Sequence, residues 1–182
     1  MFMVMFLQSS GRLSACHSYL SVAIASAMRL GVHSSTPLGQ ADMVREETRK
    51  RIIWELYTME TYVTAMLGLP KLLNQEYIHQ DLPSEVEVYG NVAAEPRAHL
   101  SDLDPDLVAS NSHTELLLIM SKIIRDIYPV DASVQGKNGR YQVQYKAVAG
   151  IERSLAEWHS TLPTELPFRP EYADTHTLNQ MR

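Results

Sequence analysis

Any chemistry in this chain has to come from its histidines, its one cysteine and its clustered charges. Seven histidines stand at positions 17, 33, 79, 99, 113, 159 and 176, and no two are four residues apart. A four-residue spacing is what puts two imidazoles on one helical face to hold zinc. Without it, and with a single cysteine, the sequence offers no metal set. Cys16 and His17 are neighbours, but adjacent helical residues point about 100° apart and do not work as a nucleophile and its base. Cys16 reads as a buried structural thiol. No G-x-S-x-G, H-E-x-x-H or strand-following G-x-G-x-x-G occurs, and Gly136-Lys137 lacks the upstream glycine and the following hydroxyl of a phosphate loop. Catalysis has no foothold, and no cofactor is expected in this chain.

The densest charge lies at Arg45, Glu46, Glu47, Arg49, Lys50 and Arg51. A phosphate-contacting patch would not interleave its own counterions. Glu46 with Lys50 and Glu47 with Arg51 are instead i, i+4 pairs in the favourable order, worth about 0.2–0.5 kcal/mol each on an exposed helix. The whole chain carries 16 basic and 21 acidic residues, a net charge of −5, so no global field draws it to nucleic acid. Glu60 stands within an otherwise apolar stretch just beyond Trp54. A carboxylate there is exposed or paired, because burial alone would cost several kcal/mol, and Arg49 or Arg51 of a neighbouring turn or chain is the candidate partner.

These residues need elements to hold them, and 182 residues make about one domain with a core of its own. The lone cysteine argues for a reducing compartment. Met1 to Leu7 is apolar but lacks a basic start and a cleavage site, so it is not a signal peptide, and it is too short to cross a membrane. It reads as the tail of a helix whose beginning has been lost, making the chain a fragment. The remaining periodicity is helical. One helix spans Leu13 to Leu30, with Leu13, Cys16, Leu20, Ala23, Ala27 and Leu30 on one face and Gly31 ending it. A second runs from Asp42 to Leu67 on the stripe Ile52, Leu56, Met59, Val63 and Met66, with Gly68-Leu69-Pro70 stopping it. A short helical turn is expected at Asn74 to His79. Asp81 to Asn111, with Pro83, Pro96 and Pro105, reads as a long connection. Helices follow at Thr114 to Tyr128, on Leu116, Met120, Ile123 and Ile127, and at Tyr141 to about Ser160, with Ile151, Leu155 and Trp158 facing one way. The fold class is all-α, an irregular multi-helix bundle with a long proline-containing connecting loop. Residues 1–163 form the domain, and 164–182 a proline-containing non-helical tail.

The stretch from Ala15 to Pro83 resembles the fungal-specific transcription factor domain, the middle homology region of fungal zinc-cluster regulators. Met28-Arg29-Leu30-Gly31-Val32-His33 is similar to its "A-x-x-LGLH" stretch, and Glu47-Thr48-Arg49-Lys50-Arg51-Ile52-Ile53-Trp54 to its "E-x-R-R-R-[LI]-x-W". Leu56-Tyr57-Thr58-Met59-Glu60 matches "L-Y-x-x-D", Leu67-Gly68-Leu69-Pro70 matches "LGLP", and Asp81-Leu82-Pro83 the closing "x-LP"; Trp158 with Leu162-Pro163 resembles the later "W…LP". Lys50 stands for the usual middle arginine, Glu60 for aspartate, and Ile53 for a frequent tryptophan.

The resemblance implies a non-enzymatic regulatory domain of a nuclear transcription factor. In such proteins promoter DNA is read by a separate amino-terminal zinc cluster of six cysteines, which one cysteine cannot supply, so zinc and DNA belong to the parent protein. Arg49, Arg51, Trp54, Glu60, Gly68 and Pro70 are expected to build structure, so that Arg51→Ala costs stability rather than a DNA contact. Partners would be a small-molecule inducer or a coregulator protein, with a homodimer open and no membrane. An inducer pocket would lie between helices, with Tyr57, Tyr62 and His33 as polar groups by type. The competing reading is a helical protein-protein interaction scaffold with no DNA-binding role.

Overall fold

The computed structural model describes residues 2–35, 43–85, 104–128 and 145–162. They form five α-helices: α1 (Phe2–Ser9), α2 (Leu13–Arg29), α3 (Met43–Leu67), α4 (Pro105–Ile127) and α5 (Tyr145–Thr161), with a 3₁₀ turn at Gln75–Tyr77. The fold is all-α. Among the described residues the only strand-like feature is an isolated bridge between Ser34 and His79. Each helix packs chiefly on the next in sequence: α1 on α2, α2 on α3, α3 on α4, α4 on α5. No described helix is long and apolar enough to cross a membrane.

Glycines set the ends of α1, α2 and α3, Gly11 (φ +69°) after α1 in the same way as the two that follow. Gly31 (φ +68°) and Gly68 (φ +66°) adopt the left-handed conformation that side chains resist. Beyond each, the next N–H reaches back to close the last turn, Val32 to Ala27 O and Leu69 to Thr64 O, both at 3.0 Å. The core joins Val4 and Leu7 of α1, Cys16, Leu20, Ile24 and Ala27 of α2, and Ile53, Trp54, Leu56, Tyr57, Met59 and Val63 of α3, closed by Leu73. Cys16 is fully buried, and its thiol donates toward Val4 O at 3.5 Å. Phe2, Met3, Met5 and Phe6 of α1 remain exposed.

The observed faces correct the expected stripes. Ile24, not Leu30, completes the buried face of α2, and Leu30 is 77% exposed. On α3 the outer members of the stripe, Ile52 and Met66, are exposed, while residues 56–61 are buried all the way round. A helix enclosed on every side has no polar face to alternate with, so a one-sided stripe describes it badly. Its buried Thr61 and Thr64 satisfy their hydroxyls on Tyr57 O (2.7 Å) and Glu60 O (2.6 Å). On α4 the buried positions are Val108, Asn111, Thr114 and Leu117 rather than Leu116.

The largest correction concerns the long connection. α4 begins at Pro105, nine residues before the expected Thr114, so the expected loop of Asp81 to Asn111 ends inside a helix. Proline at the first helical position lacks only an N–H that would have no partner there. Asp104 caps the end, accepting the Asp106 N–H at 2.9 Å. Residues 86–103, Asp42, residues 141–144 of the expected last helix and the tail from 163 onward lie outside the described residues.

Candidate functional site

The backbone after α3 runs back along that helix, and three α3 side chains hold it in turn. Glu60, 0% exposed, accepts the N–H groups of Leu72 and Leu73, the latter at 2.9 Å. Trp54 Nε1 donates to Asp81 O at 2.9 Å, and its ring meets Tyr57 edge-on at 5.5 Å between centroids. Glu47 accepts the Ser84 N–H at 2.8 Å and the Arg51 Nε at 3.2 Å. Positions 47 and 60, thirteen residues apart, are separated by about 20 Å along the helix, enough to hold the returning chain at both ends and its middle. Asn111 extends this from α4, donating to Pro83 O at 2.9 Å.

On the other side, Arg49 donates to Gly31 O and to Ser34 O, the latter at 2.8 Å. These carbonyls close the end of α2. Gln80 Nε2 shares Ser34 O at 2.9 Å, and the His79 N–H reaches His33 O at 2.8 Å. Arg49 thus ties α3 to the α2 terminus, and Gln80 and His79 tie the returning segment to the same terminus. Trp158 docks α5, donating to Ser112 O at 2.9 Å.

Glu60 therefore finds backbone N–H groups, not Arg49 or Arg51, and the expected ion pair is corrected. The reason is direction: both arginines lie two to three turns earlier, whereas Leu72 and Leu73 are brought over the carboxylate by the turn at Gly68. The charged turn is also less exposed than expected, since Glu47 is only 5% exposed.

A second polar cluster sits where α3, the chain after Pro70 and α4 meet. Lys71 Nζ donates to Thr61 Oγ1 at 2.5 Å and to Ser121 Oγ at 3.2 Å, and lies 3.4 Å from the centroid of the Tyr57 ring. Tyr57 also donates its hydroxyl to Ser121 at 3.0 Å. Burial lowers Lys71 to about 8, partly opposed by the Glu60 charge. Burial likewise raises the Tyr57 phenol and the Cys16 thiol above their ordinary values.

Beside this cluster an open cavity of about 230 Å³ is lined by Gln75, Leu118, Ile119, Ser121, Lys122 and Arg125. The polar groups expected at a pocket do not converge on it. Tyr57 is buried and reaches its wall only through Ser121, Tyr62 is 41% exposed on α3, and His33 sits at the end of α2. Lys71 and Ser121 were not singled out from sequence. Ser121 was discoverable, because it interrupts the apolar spacing of Leu117 and Ile124. Lys71 carries no local signal. Among the described residues no group of His, Cys, Asp and Glu is placed to hold a metal ion.

The hub on α3 is built from the stretch that carried the family resemblance, and comparison with known proteins bears on it directly. The fungal specific transcription factor domain matches residues 1–160. The chain belongs to that family. It is 32% identical to activator of stress genes protein 1 of Candida albicans, over 98% of this chain and 19% of that protein. It is 35% identical to activator of stress genes 1 of Saccharomyces cerevisiae, over 90% of this chain and 17% of the relative. Transcriptional activator protein acu-15 of Neurospora crassa is 28% identical over 81% of this chain and 15% of its own length. The chain thus spans about a fifth of the length of these relatives. No solved structure matches it significantly.

Proposed function

We propose that this chain is the non-enzymatic regulatory body of a fungal, nuclear transcription factor, modulating promoter binding or activation through contacts with an effector or a coregulator protein. The observation that carries this reading is the family match over residues 1–160, in a chain whose motif side chains hold its own backbone. Arg49, Arg51, Trp54, Glu60, Gly68 and Pro70 serve on this reading as the frame of the domain, taken as residues 1–163. Promoter DNA and zinc belong to a six-cysteine cluster elsewhere in the parent protein.

The test fuses residues 1–182 to an unrelated DNA-binding module and measures transcription from a reporter carrying that module's site. A several-fold change relative to the module alone is expected, lost in Glu60→Ala. An unchanged reporter with a folded fusion overturns the reading. The scaffold alternative draws on the exposed Phe2, Met3, Met5 and Phe6 of α1. It takes the lead if the coding sequence 5′ of the Met1 codon holds no six-cysteine cluster.

A further inference from the structure

Lys71 is an ammonium held largely away from water, with the Glu60 charge near it but no carboxylate hydrogen-bonded to it among the described residues. Among the described residues its hydrogen-bond partners are two hydroxyls, and the carboxylate of Glu60 is occupied by the Leu72 and Leu73 N–H groups. Ser121 relays this charge outward. Its oxygen accepts from both Lys71 and Tyr57, which uses its two lone pairs and leaves its own O–H free to donate. Ser121 also lines the cavity beside α4, together with Lys122 and Arg125 one turn apart on the same helix and Gln75 from the facing 3₁₀ turn. Among the described residues that line the wall none is acidic. Arg125 binds Asp126 through Nε at 2.9 Å, and its fork retains further donors. A cavity of about 230 Å³ is smaller than those that take drug-sized ligands, so the occupant is small.

We propose that this cavity is an oxyanion-binding site, in which Ser121, Lys122 and Arg125 hold a small phosphate- or carboxylate-bearing molecule and Lys71 supplies buried positive charge behind Ser121. Such a ligand adds negative charge on the Ser121 side of Lys71, beyond that of Glu60, and bridges α4 to the turn that Glu60 anchors. Occupancy therefore tightens the docking of α4 on α3. The site stands on its own geometry and does not depend on the regulatory reading, which it would furnish with an effector.

The test is ligand-dependent thermal unfolding of the 182-residue chain in sulfate and in malonate, with chloride at equal ionic strength as control. Sulfate keeps its charge across the pH range used and mimics a phosphate ester, whereas malonate stands for carboxylates. An increase in Tm beyond chloride is expected with at least one of them, following the linkage between binding and stability, and which probe acts tells the two ligand sources apart. Lys122→Gln/Arg125→Gln, which changes only side chains at the cavity rim, is expected to weaken the apparent affinity at least tenfold. Equal increases in the parent and this variant would identify general salt exclusion and overturn the proposal, as would no increase beyond chloride with either probe.

A second readout separates a site from a merely structural cluster. The titratable groups beside Lys71 are Tyr57 and Glu60 from α3, while on the α4 side Lys122 and Arg125 line the cavity beyond Ser121. With Lys71 titrating near 8, sulfate affinity is expected to fall as pH rises from 7 to 9. Lys71→Met, which keeps the length and removes the charge, should flatten that dependence. A dependence that persists in Lys71→Met overturns the role given to Lys71.

Discussion

At the scale of single residues, Glu60 is the group with the most to lose. It is fully enclosed and holds two backbone N–H groups at the first bend after α3. Glu60→Gln offers one carbonyl oxygen for the two donors and turns an NH₂ group toward them. Its expected cost is about 2–4 kcal/mol, measured by urea unfolding. Arg51→Ala is milder, about 1 kcal/mol, because the Arg51 side chain is 28% exposed and Glu47 keeps the Ser84 N–H when the arginine goes. A larger loss for Arg51→Ala than for Glu60→Gln would refute this ranking. The sequence showed that Glu60 was anomalous, since a carboxylate in an apolar run demands an answer. It could not show the answer, because backbone N–H groups are the same at every position and only the path of the chain selects Leu72 and Leu73.

At the scale of elements, the punctuation was more legible than the faces. Gly31 and Gly68 end their helices where expected because the left-handed turn is a property of one residue. Gly68→Ala places a side chain at φ +66° and is expected to cost about 1 kcal/mol in thermal unfolding. Gly150 makes the contrast: it lies within α5, and a Cβ added there meets nothing within 4 Å. Gly150→Ala is therefore expected to stabilise by about 0.5–1 kcal/mol, and a loss at both positions would sink the distinction. Pro105 was misread for a related reason. Its ring forbids a helix that continues through it but favours one that starts at it, and Asp104 just before it was the overlooked cap.

At the scale of the whole molecule, Lys71 records how α3, the returning chain and α4 come together. Its folded value near 8 lies below its ordinary 10.5, so between these values the unfolded chain binds more protons than the folded one. Stability contributed at this group therefore rises with pH from about 8 upward, and the full penalty stands below 8. Cys16 and Tyr57 act oppositely: their raised values favour the folded state less as pH climbs past 9 and past 10, so the Lys71 effect is read between 8 and 9. Lys71→Met is expected to remove that rise and to leave stability at pH 7 equal or higher by about 1–2 kcal/mol, after allowance for partial solvent screening. Parallel pH profiles for the parent and Lys71→Met, measured by urea unfolding, would contradict it.

What the sequence determined by itself was the all-α class, the ends of α2 and α3, the buried thiol and the family, because helical period, glycine stops and an ordered motif are local properties of the chain. The tertiary structure decided the rest. It enclosed the middle of α3, residues 56–61, and set Glu47, Arg49, Trp54 and Glu60 against the backbone of two neighbouring segments. It also brought Lys71 onto Tyr57 and Ser121, residues 14 and 50 positions away in the chain. Contacts at such separations depend on how a turn aims the returning chain, and no local pattern of residue types encodes that direction.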